Sequence, residues 1–324
     1  MPISMMIQAM VPTAALLVFG LLLKLRFGFG DDFWAGAERL TYFILLPALF
    51  VNSLAKAQFD EYSVGRMALV IGCASVASAL LGLAVRRISG TDGPGFTSVY
   101  QGVVRFNNYI GATIAGALFG VEGLALAALC NAILIPLGNI YSTLALARWG
   151  TANVSGWGIV KAVLTNPLVM ACLIGLSLNA IADWSVSAAL LSTSFVSVFV
   201  ATVSTGLALI GQAALPIGLL CVGAGLSRAA GGLSGYVQPL IVATTVRLLL
   251  VPALAFGFAH LLGLDGHAAV VVVMFQALPT ASSCYILARQ LGGDAPLAAA
   301  VIATQTVAAM VTLPLWVWTA TAFF

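Results

Sequence analysis

The apolar run that begins at Ala268 does not read as one helix. It breaks at Leu278-Pro279-Thr280-Ala281-Ser282-Ser283 and resumes as a helix-forming segment to Leu291. Proline removes a backbone donor and clashes with the preceding turn, which disfavours a continuous helix across Pro279. In hydrocarbon a broken backbone persists only where protein or a polar cavity satisfies the freed groups. A second interruption, VRFNNYIG from Val104 to Gly111, lies in the middle of an earlier apolar run. Paired interruptions at corresponding positions of two halves point to the binding site of a secondary transporter.

The rest of the chain fits such a setting. It is 61% hydrophobic and 7% charged, with a mean hydropathy of +1.10, where soluble domains carry about 25% charged residues. This is the composition of an all-α, multi-pass membrane protein. Its 324 residues hold about ten spans of ~20–25 residues with short loops. The expected spans are 4–23, 34–56, 64–85, 96–119, 123–147, 157–181, 206–228, 236–262, 268–291 and 295–320. The first reads as a span and not a signal peptide, having neither a basic leader nor a small-residue cleavage site. The net charge of +3 is small and scattered, which argues against nucleic acid as a partner. Cys73, Cys130, Cys172, Cys221 and Cys284 lie inside apolar runs without pairing or metal-ligand spacing and read as small core residues. No cofactor is expected.

Lysines and arginines sort unequally between the two sets of loops. Lys24, Arg26, Arg39, Arg86, Arg87, Arg148, Lys161, Arg228 and Arg289 fall on one side, and Lys56 and Arg66 on the other. The positive-inside rule makes the first side cytoplasmic and puts both termini outside the cytoplasm, in the plasma (inner) membrane. The stretch 187–206 is apolar enough to be an additional span. That would weaken the charge asymmetry, so a tilted, interfacial or re-entrant helix is the expectation there.

The two halves echo one another. Pro12 precedes Gly20, and Pro167 precedes Gly175, by the same eight residues; Leu46-Pro47 answers Leu215-Pro216. Asn108 and Thr280 precede Glu122 and Asp294 by fourteen residues each, and each acid opens the last helix of its half. The expected organisation is a five-helix repeat over 1–148 and a second over 149–324, with 187–206 inserted. An odd number of spans per repeat places the second upside down relative to the first.

QALPTASSCYILARQLGGD, NNYIGATIAGALFGVEG, NPLVMACLIGLSLN, GQAALPIGLLCVGAGL and VRLLLVPALA resemble segments of the auxin efflux carrier family, and the likeness runs over nearly the whole chain. It implies a bacterial-type member on the fold shared with bile acid:sodium symporters: ten spans in two inverted repeats, with spans four and nine broken and crossing at the substrate site. It also implies a permease of small organic anions, dicarboxylates among them. Two departures are the stretch 187–206 and the lack of proline in the span-four break.

Arg105 and Arg247 are the sharpest single residues. Each lies about 15 Å from either span end at helical rise, where an ionised side chain costs at least ~2.5–3.5 kcal/mol. All ten acids fall in loops or at span ends, so no intramembrane carboxylate is expected as a partner. Broken-helix carbonyls could satisfy both arginines, or one could face an anionic substrate. Arg105, at the break itself, is the stronger candidate for substrate, and Arg247 for a brace of the crossover. Asn107, Asn108, Pro279, Thr280, Ser282 and Ser283 sit where the helices break. There they either cap the half-helices or help helix N-termini receive a carboxylate. Asn52, Asn131 and Gln305 are single polar groups in other spans that could line the same cavity or simply bond between helices.

No enzyme constellation emerges. Both histidines flank the loop between spans eight and nine, and Ser282-Ser283 has no intramembrane base nearby in sequence. The leading expectation is an alternating-access transporter of mono- or dicarboxylates, with room for proton or sodium coupling and for a homodimer. Its alternatives are a sodium-coupled carrier of the bile-acid-symporter kind and a non-transporting membrane receptor.

Overall fold

A computed structural model describes residues 3–57, 64–151, 165–183, 194–227 and 235–324. It is helical, with no strand among the described residues. In chain order the elements are α1 (Ile3–Arg26), α2 (Asp31–Ala55), α3 (Val64–Ala84), α4 (Gly93–Val104) and α5 (Asn108–Trp149). There follow α6 (Pro167–Asp183), α7 (Ser194–Gln212), α8 (Ala214–Gly225), α9 (Val237–Leu261), α10 (Gly266–Gln276), α11 (Ser283–Leu291) and α12 (Ala295–Phe323). By length and composition, Asp31–Ala55, Val64–Ala84, Gly93–Trp149, Val198–Gly225, Val237–Leu261 and Ala295–Phe323 are six helical stretches able to cross a membrane. Pro167–Ile181 and Gly266–Gln276 are shorter apolar helices. The protein is therefore a multi-pass, all-α membrane protein.

Prolines set several of the irregularities. Pro252 has no N–H for the carbonyl of Leu248, four residues back, and its ring pushes that carbonyl aside. The backbone widens into a π turn over Val246–Leu250, and the Trp316 indole N–H donates to the freed Leu248 carbonyl at 2.8 Å. Pro47 stands in the same register behind a π turn at Thr41–Leu45 in α2. Pro216 leaves Gln212 without its partner, and there α7 ends in a one-residue turn before α8.

Within the stretch 187–206, the residues from Ser194 onward are helical and form the first part of α7, which runs unbroken to Gln212, because no proline interrupts it before Pro216. Residues 187–193 lie outside the described residues.

Equivalent positions of the two halves carry glycines of positive φ and close helix contacts. Gly120 (φ 58°) turns the chain inside α5, and Gly292 (φ 71°) ends α11. Both occupy the left-handed region that favours glycine. Two residues later stand Glu122 and Asp294, so the turns obey the fourteen-residue correspondence of the sequence. Close helix contacts match as well. A Cβ on Gly20 of α1 would run into the Leu220 carbonyl of α8, and one on Gly175 of α6 would meet Leu54 and Val51 of α2. Counted from the Leu-Pro pairs, Leu220 and Val51 are the same position.

Around these contacts the core packs the chain just after the first break, Phe106, Ile110 and Ile114, with the chain leading into the second, Phe275, Ala277 and Leu278.

Candidate functional site

The two interruptions meet. Asn107, between α4 and α5, donates its backbone N–H to the carbonyl of Pro279, between α10 and α11, at 2.8 Å. Arg247 is delivered by the π turn of α9 and is 1% exposed. Its Nε donates to the Leu278 carbonyl at 2.7 Å, Nη2 to Phe275 at 3.1 Å and Nη1 to Val103 at 3.3 Å. These carbonyls belong to the C-terminal ends of α4 and α10 and the residues just beyond, where the helix dipole concentrates negative partial charge. Ser78 of α3 adds a second donor to Val103, at 3.1 Å.

Thr280 and Gln305 close the same knot. Gln305 of α12 accepts from the Thr280 N–H at 2.9 Å and donates to the carbonyls of Gly102 and Ala243 at 3.0 and 3.2 Å. The Thr280 hydroxyl donates to the Gln101 carbonyl at 3.2 Å. Both side chains are buried and consumed by backbone groups.

Beside this knot lies a small polar pocket. Arg105, in extended backbone just past α4, turns its guanidinium so that Nη2 donates to Ser283 Oγ at 3.0 Å. With them Tyr42, Asn108 and Asn139 line a cavity of about 40 Å³. A water needs about 10–15 Å³ by this measure, so the pocket has room for a few waters and not for an organic acid. Asn108 is 8% exposed and its Nδ2 has no hydrogen-bond partner. The Tyr42 hydroxyl accepts from Asn166 Nδ2 at 2.9 Å, while Asn166 Oδ1 caps α6 through the N–H groups of Leu168 and Val169.

At the edge of the pocket the Ser282 hydroxyl donates to Glu38 Oε1 at 2.9 Å. A carboxylate that the sequence puts at a span end therefore reaches the second break. Glu38 sits in the first part of α2, and the continuous helix with its π turn brings it to the break between α10 and α11.

Among the expected site residues, the structure brings Arg105, Asn108 and Ser283 to the pocket and leaves Ser282 at its edge. Asn107 accepts at Oδ1 from the N–H groups of Tyr109 and Ile110, so the first amides of α5 are already occupied by its own cap. Pro279 contributes a carbonyl to the crossing. Asn52 lies elsewhere, accepting from Ser204 Oγ at 3.3 Å. Asn131 donates to Ala127 within its own helix at 2.7 Å. Neither these two nor Gln305 lines the pocket.

Tyr42, Asn139, Asn166 and Glu38 are additions that the sequence reading does not reach. Asn166-Pro167 carries the signature of a capped helix start, and Asn139 is a lone amide in an apolar helix, so both have a detectable signal. Tyr42 and Glu38 carry no local signal, since contacts across 124 and 244 residues define them.

A larger cavity, about 520 Å³, lies between α1, α5 and α12. Its lining is apolar apart from Thr13 and Thr306. It offers nothing to hold a charged group.

The amino-acid sequence has parallels among known proteins. An uncharacterized transporter of Methanothermobacter thermautotrophicus is 23% identical over 315 residues, covering 95% of this chain and 96% of that protein. The family model described as membrane transport protein matches residues 151–317, more than half of the chain. The chain therefore belongs to the membrane transport protein family, that of the auxin efflux carriers its motifs resemble.

Proposed function

We propose that this chain is a secondary transporter of small organic anions, mono- or dicarboxylates, working by alternating access in the plasma (inner) membrane. The observation that carries the reading is the pocket at the crossover. Arg105, held by a serine of one break and standing in the other, faces a cavity that also holds the unpartnered amide of Asn108. A carboxylate there would complete both donors, and in a low-dielectric site the gain is larger than in water. A cation would meet the Arg105 guanidinium and an amide N–H, neither of which can accept it.

The architecture in this reading is ten spans in two inverted five-helix repeats, 1–148 and 149–324, with both termini outside the cytoplasm. Several observations support it. The bond from Asn107 to Pro279 joins residues at equivalent positions, as expected where a two-fold axis passes between repeats. The left-handed glycines and the contacts of Gly20 and Gly175 pair in the same way. Arg247 then acts as the brace of the crossing and Arg105 as the substrate's counter-charge. The pocket is too small for an acid, so the Tyr42–Asn166 side must part from the crossover to admit one.

The test is binding and proteoliposome uptake across a panel of carboxylates, amines and neutral sugars. Carboxylates are the expected class. A hydrogen bond to a charged group is worth about 1.5–3 kcal/mol, or ~10–100-fold in affinity. Arg105→Gln should therefore lose that much binding while melting near the wild-type temperature. An Arg105→Gln protein with wild-type affinity, or uptake of amines or sugars in place of acids, overturns the reading.

A further inference from the structure

We propose that Glu38 is the proton-carrying group of this transporter and travels protonated with the bound carboxylate. The inference rests on the carboxylate reading of the pocket and adds to it the coupling ion.

The two successive hydroxyls of the second break are divided between opposite charges. Ser283 accepts from Arg105 at 3.0 Å, and Ser282 donates to Glu38 at 2.9 Å. Ser282 stands at the N-cap of α11 and makes no side-chain bond to its own helix; its hydroxyl is given to the acid instead. Residues 281 and 283, on either side of it, both line the pocket, as does Tyr42, one helical turn beyond Glu38. A substrate carboxylate placed between Arg105 and Asn108 therefore comes to lie beside the Glu38 carboxylate.

Glu38 stands among other polar and titratable groups. It makes no ion pair among the described residues. Tyr109 of α5 is a titratable group that interacts with it, with Tyr42 and Cys221 of α8 facing Tyr109 in turn. Arg105 is directed to Ser283 and towards Tyr42. On its own helix Arg39 is exposed, and Asp31 pairs with Lys24.

Two carboxylates at one site cannot both stay ionised at low cost, and the nearer the second, the higher the proton affinity of the first. When a carboxylate binds, Glu38 takes a proton from the water on the open side and becomes the neutral acid. It can keep its hydrogen bond to Ser282 in that form. On the far side the anion leaves and the proton returns to water. The net result is one proton moved in the same direction as each anion.

The linkage is measurable. One proton bound with each anion makes affinity fall about tenfold per unit rise in pH while Glu38 is ionised in the empty protein. The experiment uses the purified full chain and acetate, pyruvate, malonate, succinate and malate, at pH values above the probes' own ionisation. Affinity is followed against pH, and proton uptake by calorimetry in buffers of different ionisation enthalpy.

The wild type should show the tenfold slope and take up a proton. Glu38→Gln should lose both. Ser282→Ala keeps the acid but removes its donor, so the pH at which the slope sets in should move upward. A pH-independent wild-type affinity overturns the proposal and leaves the carboxylate reading standing; so does a Glu38→Gln protein that keeps the slope. If Glu38→Gln does not fold, Ser282→Ala decides alone, and an unmoved onset overturns the proposal. Failure of all five acids to bind the wild type overturns the carboxylate reading and this inference with it.

Discussion

Replacing Arg247 by glutamine tests how the crossing is held. The guanidinium serves three carbonyls, but they do not depend on it equally. Val103 keeps Ser78 as a second donor at 3.1 Å, whereas Phe275 and Leu278 have only the arginine among the hydrogen bonds of their side-chain neighbours. Orphaning two buried acceptors costs about 1–3 kcal/mol each, or ~2–6 kcal/mol. Against this, the variant no longer carries an ionised group whose insertion costs at least ~2.5–3.5 kcal/mol. Both orphaned carbonyls lie at the negative end of α10, and in hydrocarbon no water replaces the lost donor, which favours the upper part of the range. The expected net loss is about 1–3 kcal/mol. At about 2–4 °C per kcal/mol, the melting temperature of the detergent-purified protein should fall by roughly 2–12 °C, read by fluorescence-detected size exclusion after heating. Arg247→Lys should not restore it, because a single ammonium cannot span three carbonyls as a planar fork does. Ser78→Ala should cost much less, near the ~0.6 kcal/mol average of bonds inside membrane proteins. Melting of Arg247→Gln at or above the wild-type temperature, or full rescue by lysine, would refute the brace.

Two other expectations concern the architecture. Gly20→Val and Gly175→Val should both lower folded yield, because each new side chain meets a neighbouring helix and overpacking costs about 1–3 kcal/mol; Gly257→Ala, where a Cβ meets nothing within 4 Å, is the control and should express normally. Single cysteines at positions 92 and 324 should label from opposite sides of the membrane, 324 from outside, and labelling of both from the cytoplasm would end the ten-span topology.

The features that follow from the chain's own local chemistry are legible in the amino-acid sequence alone. Apolar runs of span length, Pro279 and the Asn107-Asn108 cap each act within a few residues, so the helices, the two interruptions and the pairing of Gly20 with Gly175 can be read directly. The depth of Arg105 and Arg247 is legible too, since it follows from counting residues along a helix. What those arginines touch is not. Arg247 reaches its carbonyls across 28, 31 and 144 residues, through a π turn whose register only the packed helix and its proline define. Thr280 and Gln305 look like cavity groups in the sequence, yet backbone carbonyls brought in by other helices consume them. Glu38 looks like a loop acid at a span end, and only the docking of α2 against the second break carries it to Ser282. Hydrocarbon fixes where a chain must be helical, because every backbone group must find a partner within its own segment. Which side chain meets which broken end depends on helices brought together from distant parts of the sequence, and tertiary packing alone decides it.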